Sequence, residues 1–147
     1  MTAPVPAQLE WTRQPGTGPP HGILGDLTAC SVVELGCGSG HNLAVLAHRH
    51  GATATGIDRD PGKVARATEL YGHLPGLQVI CADAASYLTS LPAASIDACL
   101  SIFGAFSFSP PRPLLRGAAR ALRPGGLLAI TLRASHHQDA VVILTRR

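Results

Sequence analysis

Short apolar runs alternate along this chain with segments whose apolar residues recur every three or four positions. Ser31–Leu35, Thr53–Ile57, Leu77–Cys81, Ile96–Phe103, Leu127–Leu132 and Ala140–Leu144 read as strands. Between them, Asn42–His50 carries Leu43, Leu46 and Ala47 on one helical face. A second helix opens at Pro61, where proline suits the first helical position, and turns Val64, Ala67 and Leu70 or Tyr71 inward. Ala84–Leu91 is a short helix stopped by Pro92, and Arg112–Leu122 places Leu115, Ala118, Ala119 and Leu122 at core spacing. Gly76 ends the second helix and Pro124-Gly125-Gly126 the last one. The alternation predicts an α/β fold: a doubly wound, Rossmann-like parallel sheet covered on both faces.

The ends of the chain depart from this rhythm. Residues 1–22 hold Pro4, Pro6, Pro15, Pro19 and Pro20, which forbid a regular helix, and one aromatic anchor, Trp11. They read as an irregular N-terminal arm or lid on a single domain, 23–147, with a helical turn expected at Ile23–Thr28. Seven residues, Arg133–Asp139, are too few for a parallel crossover. The last strand must therefore return antiparallel beside the fifth. The expected order is 3-2-1-4-5 plus one C-terminal antiparallel strand.

Composition narrows the class. With 46% hydrophobic and 14% charged residues the chain is not disordered. Its apolar runs fall short of the roughly 18 residues that span a membrane. No basic patch followed by an apolar stretch opens the chain, so the expectation is a cytoplasmic protein, without a membrane partner, whose cysteines stay reduced. Cys30, Cys37, Cys81 and Cys99 lack zinc spacing, and no metal is expected. The net charge of +3 is mild. Arg112, Arg116, Arg120 and Arg123 could form one helical stripe able to hold phosphates, but a solvated face is the commoner reading and a nucleic-acid partner is not expected.

The chemistry concentrates where Val32-Val33-Glu34-Leu35 runs into Gly36-Cys37-Gly38-Ser39-Gly40. In a doubly wound sheet this turn lies at the topological switch point, where ligands bind. A dinucleotide fingerprint would need glycine or alanine where His41 stands, and no Gly-Lys-Ser/Thr follows for a phosphate loop. The GxGxG spacing with Glu34 two residues before it resembles instead the first motif of the class I S-adenosylmethionine-dependent methyltransferases. Gly56-Ile57-Asp58, Cys81-Ala82-Asp83-Ala84, Ser95-Ile96-Asp97-Ala98 and Leu122-Arg123-Pro124-Gly125-Gly126-Leu127 extend the resemblance in order over about residues 31–132.

The resemblance implies S-adenosylmethionine as cofactor, S-adenosylhomocysteine as product, and a role for each matching residue. Gly36, Cys37, Gly38 and Gly40 would pass under the methionine part, and Glu34 would reach its ammonium. Ser101 and Ile102 would offer backbone carbonyls beside it, with Asn42 a further contact. Asp58, followed by Arg59, would accept hydrogen bonds from the ribose hydroxyls, since a carboxylate can take two donors. Asp83 and the Ala84 amide would meet the adenine; Asp83 reads equally as a helix N-cap.

Acceptor residues are less specified. Trp11, His41, Phe103, Phe106 and His136 are the candidates, with Phe108 on the same aromatic loop and His137 beside His136. Each has a plainer reading: an anchor for the arm, a loop hydrogen-bonder, a hydrophobic plug, exposed loop histidines. No general base stands out. The Asn-Pro-Pro-aromatic signature of amino-methylating nucleic-acid enzymes is absent, and Phe103–Ser109 lacks the acids that aminopropyl transfer would need. The expected reaction is methyl transfer to a small-molecule acceptor. The alternatives are a non-catalytic cofactor-binding remnant or partner subunit, and an RNA or protein methyltransferase. Complete members of the class continue beyond the fifth strand with a helix and two strands, whereas 15 residues follow Leu132 here. The expectation is an apolar edge for a second copy to cover, as a homodimer.

Overall fold

The computed structural model describes residues 1–20, 22–133 and 138–147. Six strands form one sheet: β1 (Ser31–Leu35), β2 (Thr53–Asp58), β3 (Leu77–Cys81), β4 (Ile96–Ile102), β5 (Leu122–Arg133) and β6 (Asp139–Thr145). Their order is β3-β2-β1-β4-β5-β6, with β6 antiparallel to β5 and the other pairs parallel, as the spacing predicts. The helices are α1 (His41–His48), α2 (Pro61–Tyr71), α3 (Ala84–Ser90), α4 (Ala105–Phe108) and α5 (Pro111–Ala121). None is long and apolar enough to cross a membrane.

Each face of the sheet buries its own core. Leu43, Leu46 and Ala47 of α1 pack on Val32, Ala54, Ala98 and Leu100. Leu88 of α3 and Leu114, Ala118 and Ala121 of α5 pack on Val33, Cys99, Leu128 and Ile130 of the opposite face. Residues 1–20 contain no helix or strand, yet they are tied down. The Ala3 amide donates to the Leu70 carbonyl, and Arg49 donates to the carbonyls of Val5 and Pro6. Trp11, Leu24 and Leu27 complete the same α1-side core, which extends to Leu100 and Ala129.

Four local expectations need correction. The segment Ile23–Thr28 makes isolated turns and no helix. β5 begins at Leu122 and includes Pro124-Gly125-Gly126: Leu122 pairs with Ile96 across a register shift, and Gly125 and Gly126 exchange backbone hydrogen bonds with Arg146. A turn-like sequence is thus drawn into the sheet by partners on both sides. The buried face of α5 carries Leu114 and Gly117 beside Ala118 and Ala121, while Leu115 and Ala119 face outward. Gly117 lets α5 sit against Leu88, where a Cβ would come within 2.8 Å of the leucine side chain. The arginine stripe is broken as well, because Arg123 belongs to β5 and pairs with Asp97. Cys81 is exposed at the end of edge strand β3, whereas Cys37 and Cys99 are buried.

The α5 register gives a sharp test. Leu114→Ala should cost about 2–5 kcal/mol by leaving a cavity. Leu115→Ala should stay within about 0.5 kcal/mol. Urea denaturation of both variants checks this, and equal losses would contradict the observed face.

Candidate functional site

The loops at the C-terminal ends of β1, β2, β3 and β4 enclose a cleft of about 510 Å³. This lies within the usual range of roughly 300–1,000 Å³ for small-molecule sites. It sits where the topology requires, since β1 hands the chain leftward to β2 and its other neighbour, β4, leads rightward.

Two glycines build the floor by different means. Gly36 has φ +76° and touches the β4–α4 loop so closely that a Cβ would lie 2.6 Å from Gly104 Cα. Gly104 answers in kind, because a Cβ there would run into the Leu35 carbonyl oxygen. Gly38, at φ +56°, has nothing within 4 Å of where its Cβ would stand, so its backbone faces open cleft. Gly40 is a different case. It is buried against Ala67 and Tyr71 of α2 and does not reach the cleft wall.

Four acids line the cleft; beside Asp60, which caps α2, Glu34, Asp58 and Asp83 are each held differently. Glu34 is 2% exposed, and its Oε1 has no hydrogen-bond partner. Burial, with a smaller contribution from Asp58, raises its pKa to about 8. Burial and the nearby Glu34 and Asp58 also push the Cys37 thiol well above its ordinary range. Asp58 accepts from the Gly38 amide at 3.0 Å and the Asp60 amide at 2.9 Å, which locks the glycine loop to the end of β2. Asp83 caps α3 through Oδ2, accepting from the Ser86 amide and hydroxyl at 3.0 Å. These bonds lower its pKa, with smaller contributions from Arg59 and the Ala85 amide.

Glu34 makes stability depend on pH. Its folded pKa lies above the ordinary carboxyl value, so the folded state holds a proton that the unfolded chain releases. The stabilisation is complete below about pH 4.5 and is lost as pH rises to about 8. The slope contributed by this one group is at most about 1.4 kcal/mol per pH unit. Glu34→Gln should flatten the curve between those values, as thermal melts across the window would show.

Of the other predicted residues, Arg59, Ala84, Asn42, Ile102, Phe103 and His41 line the cleft. His41 Nδ1 lies 2.7 Å from the hydroxyl of buried Tyr71. Four do not reach the wall as expected. Ser101 is fully buried, and its hydroxyl accepts from the Phe106 amide at 3.3 Å, bracing α4. Phe106 packs into the α5-side core. Trp11 is an anchor in the α1-side core and does not cover the cleft. Gly40, as described, packs on α2. His136 and His137 fall outside the described residues.

The cleft also takes in residues not singled out from the sequence: Ile57, Asp60, Lys63, Ala82, Gly104 and Ala105. A glycine directly after a strand end, as in Ile102-Phe103-Gly104, was the available signal for Gly104. Phe108, 72% exposed at the lip with Ser109 behind it, belongs to the aromatic loop noted above.

The arrangement suits a ligand with a cationic group, a sugar and a flat ring. The buried Glu34 carboxyl group, with one oxygen unpartnered, stands beside a floor without side chains, and two further carboxylates keep free lone pairs at the ends of β2 and β3. The residues present therefore fit S-adenosylmethionine.

Comparison with known proteins agrees. The family described as Methyltransferase domain matches residues 33–130. Trans-aconitate 2-methyltransferase of Delftia acidovorans is 38% identical over 108 residues, covering 69% of this chain and 37% of its own length. The 2-methyl-6-phytyl-1,4-hydroquinone methyltransferase of Synechocystis is 30% identical over 100 residues, 68% of this chain and 31% of that enzyme. This chain thus spans about a third of the length of these curated relatives. Among solved structures, a methyltransferase of Haloferax volcanii, in complex with the Trm112 activator, superposes with a TM-score of 0.68 at 27% identity, over 76% of this chain and 48% of that one. The order of strands, the glycine floor and the matched span lead to one conclusion: the chain belongs to the methyltransferase-domain family and has the fold of the class I S-adenosylmethionine-dependent methyltransferases.

Proposed function

We propose that this chain binds S-adenosylmethionine in the cleft and transfers its methyl group to a small-molecule acceptor by in-line displacement. The observation that carries the reading is Glu34: a buried carboxylate with an unpartnered oxygen, beside the open backbone of Gly38. The cofactor, when bound, supplies a methyl carbon already activated by a positive sulfur. The protein's part is then to hold, align and exclude water. Glu34 holds the ammonium, Asp58 the ribose hydroxyls, and Asp83 with the Ala84 amide the adenine. Cys37, Asn42, Arg59 and the end of β4 at Ile102 complete the wall. Phe103 and Phe108 offer apolar surface at the lip for an acceptor, with His41 on the wall. The names of the relatives, trans-aconitate and a phytyl hydroquinone, support acceptors of small size.

Calorimetric titration with S-adenosylhomocysteine tests the donor site. Because Glu34 is protonated below about pH 8 and must ionise to meet an ammonium, binding at pH 6–7 should release close to one proton. Repeating the titration in buffers of different ionisation enthalpy reads that proton, and Glu34→Gln should abolish the release. A methyl-transfer screen on small carboxylate, aromatic and amine acceptors then tests the reaction. Tight binding without turnover on any of them would count against the acceptor reading.

A further inference from the structure

Beyond the bonds that tie residues 3–6 to Leu70 and Arg49, the N-terminal arm is fastened at two further points, one on α1 and one at the start of β6. At one, Asn42 grips the backbone of Glu10 twice: its Oδ1 accepts from the Glu10 amide at 2.9 Å, and its Nδ2 donates to the Glu10 carbonyl at 3.3 Å. Asn42 is also part of the cleft wall. At the other, Asp139 accepts from the Arg13 amide and from its guanidinium, at 2.9, 2.9 and 2.7 Å. The Asp139 side chain is 5% exposed and that of Arg13 37%, so the pair is half open to solvent, and three hydrogen bonds to one residue, the backbone amide among them, set it apart from a single surface ion pair.

The two anchors stand three strands apart, because α1 follows β1 and Asp139 opens β6 in the order β1-β4-β5-β6. That separation is about 14 Å at the usual strand spacing. The segment from Glu10 to Arg13 bridges the two anchors and bends at Thr12 and Arg13. Trp11, its middle residue, is 5% exposed and packs in the cluster that also contains Leu100 and Ala129. Ile102 packs against that same cluster and faces the cleft. Two cleft-wall residues, Asn42 and Ile102, are thus backed by the arm.

We propose that residues 9–13 are a clasp whose seating is coupled to occupancy of the donor site, with Arg13–Asp139 as its latch. The inference rests on the donor reading above. A ligand pressing on Asn42 and Ile102 favours the seated arm, and by reciprocity the seated arm favours the ligand. Asp139 is a positioning residue, acting through the arm and touching no ligand.

The only tryptophan of the chain, Trp11, reports the clasp directly. The full chain is titrated with S-adenosylhomocysteine while Trp11 emission is followed, with calorimetry in parallel. Trypsin cleavage after Arg13 is timed with and without ligand, using exposed Arg66 of α2 as the internal reference. Saturating ligand should shift Trp11 emission and slow cleavage after Arg13 about fivefold relative to Arg66. Asp139→Asn should lose that protection and bind S-adenosylhomocysteine about fivefold more weakly, the low end of typical coupling. The wild-type measurement stands by itself if the variant folds poorly. Measurable binding heat with unchanged emission and cleavage overturns the clasp while leaving the donor site intact. Faster cleavage after Arg13 on saturation also overturns it. Absence of any binding heat overturns the donor reading and the clasp together.

Discussion

Gly104→Ala is expected to lose at least about 3 kcal/mol of stability, or to fail to fold, because the new methyl group has no space to occupy. It would meet the Leu35 carbonyl oxygen and Gly36 Cα, both backbone atoms that cannot swing aside. Overpacking in cores costs about 1–3 kcal/mol when side chains can give way. Here the clash lies between two loops that close the sheet, so the upper end is the starting point. A domain of this size holds only about 5–15 kcal/mol in total. Gly38→Ala makes the contrast. Its Cβ would find open space, so the cost is the left-handed backbone alone, about 1–2 kcal/mol. That variant should fold and lose ligand binding, since the methyl group enters the cleft. Urea denaturation with S-adenosylhomocysteine calorimetry separates the two outcomes. A stable Gly104→Ala protein with normal affinity would refute the close approach of the two loops.

Asp58→Ala should weaken S-adenosylhomocysteine binding by tenfold or more. Hydrogen bonds to an ionised group contribute about 1.5–3 kcal/mol, and each 1.4 kcal/mol is about tenfold in affinity. The carboxylate does two things at once. It would take the ribose hydroxyls, and it already accepts from the amides of Gly38 and Asp60, which fixes the floor of the cleft. Asp58→Asn separates these functions. One amide oxygen can still hold the Gly38 amide, but the other position becomes a donor facing donors. The asparagine variant should therefore lose about 1–3 kcal/mol of urea stability with the Asp60 bond, keep the fold, and bind several-fold more weakly. Unchanged affinity in either variant would remove Asp58 from the site.

Much of the fold was legible in the chain because its signals are local. Strand-length apolar runs, helical periodicity, and a seven-residue span too short for a crossover were enough to order the sheet and to turn β6 antiparallel. The acids at the ends of β1, β2 and β3 could be found for the same reason, since each follows an apolar run directly. The misreadings share a different cause. Leu114 and Leu115 are equally apolar, and only the seat that Gly117 makes against Leu88 decides which one turns inward. Pro124-Gly125-Gly126 looks like a turn until β4 and β6 flank it. Ser101 and Phe106 looked like wall residues, and they brace the loop that carries the wall.

Short-range pattern and strand order are enough to set the class of fold, the place of the cleft at the switch point, and the acidic and glycine residues around it. Tertiary structure alone decided that Gly36 and Gly104 meet, that Glu34 is left with an unpartnered oxygen, and that Trp11 lies in the core on the sheet face with Arg13 bound to Asp139. Those are contacts between segments up to 126 positions apart, and nothing in the neighbourhood of either partner encodes them. They arise when the folded sheet brings the arm, the β4 loop and the first strand of each crossover to one edge, where the physical limits of packing and desolvation select which groups touch.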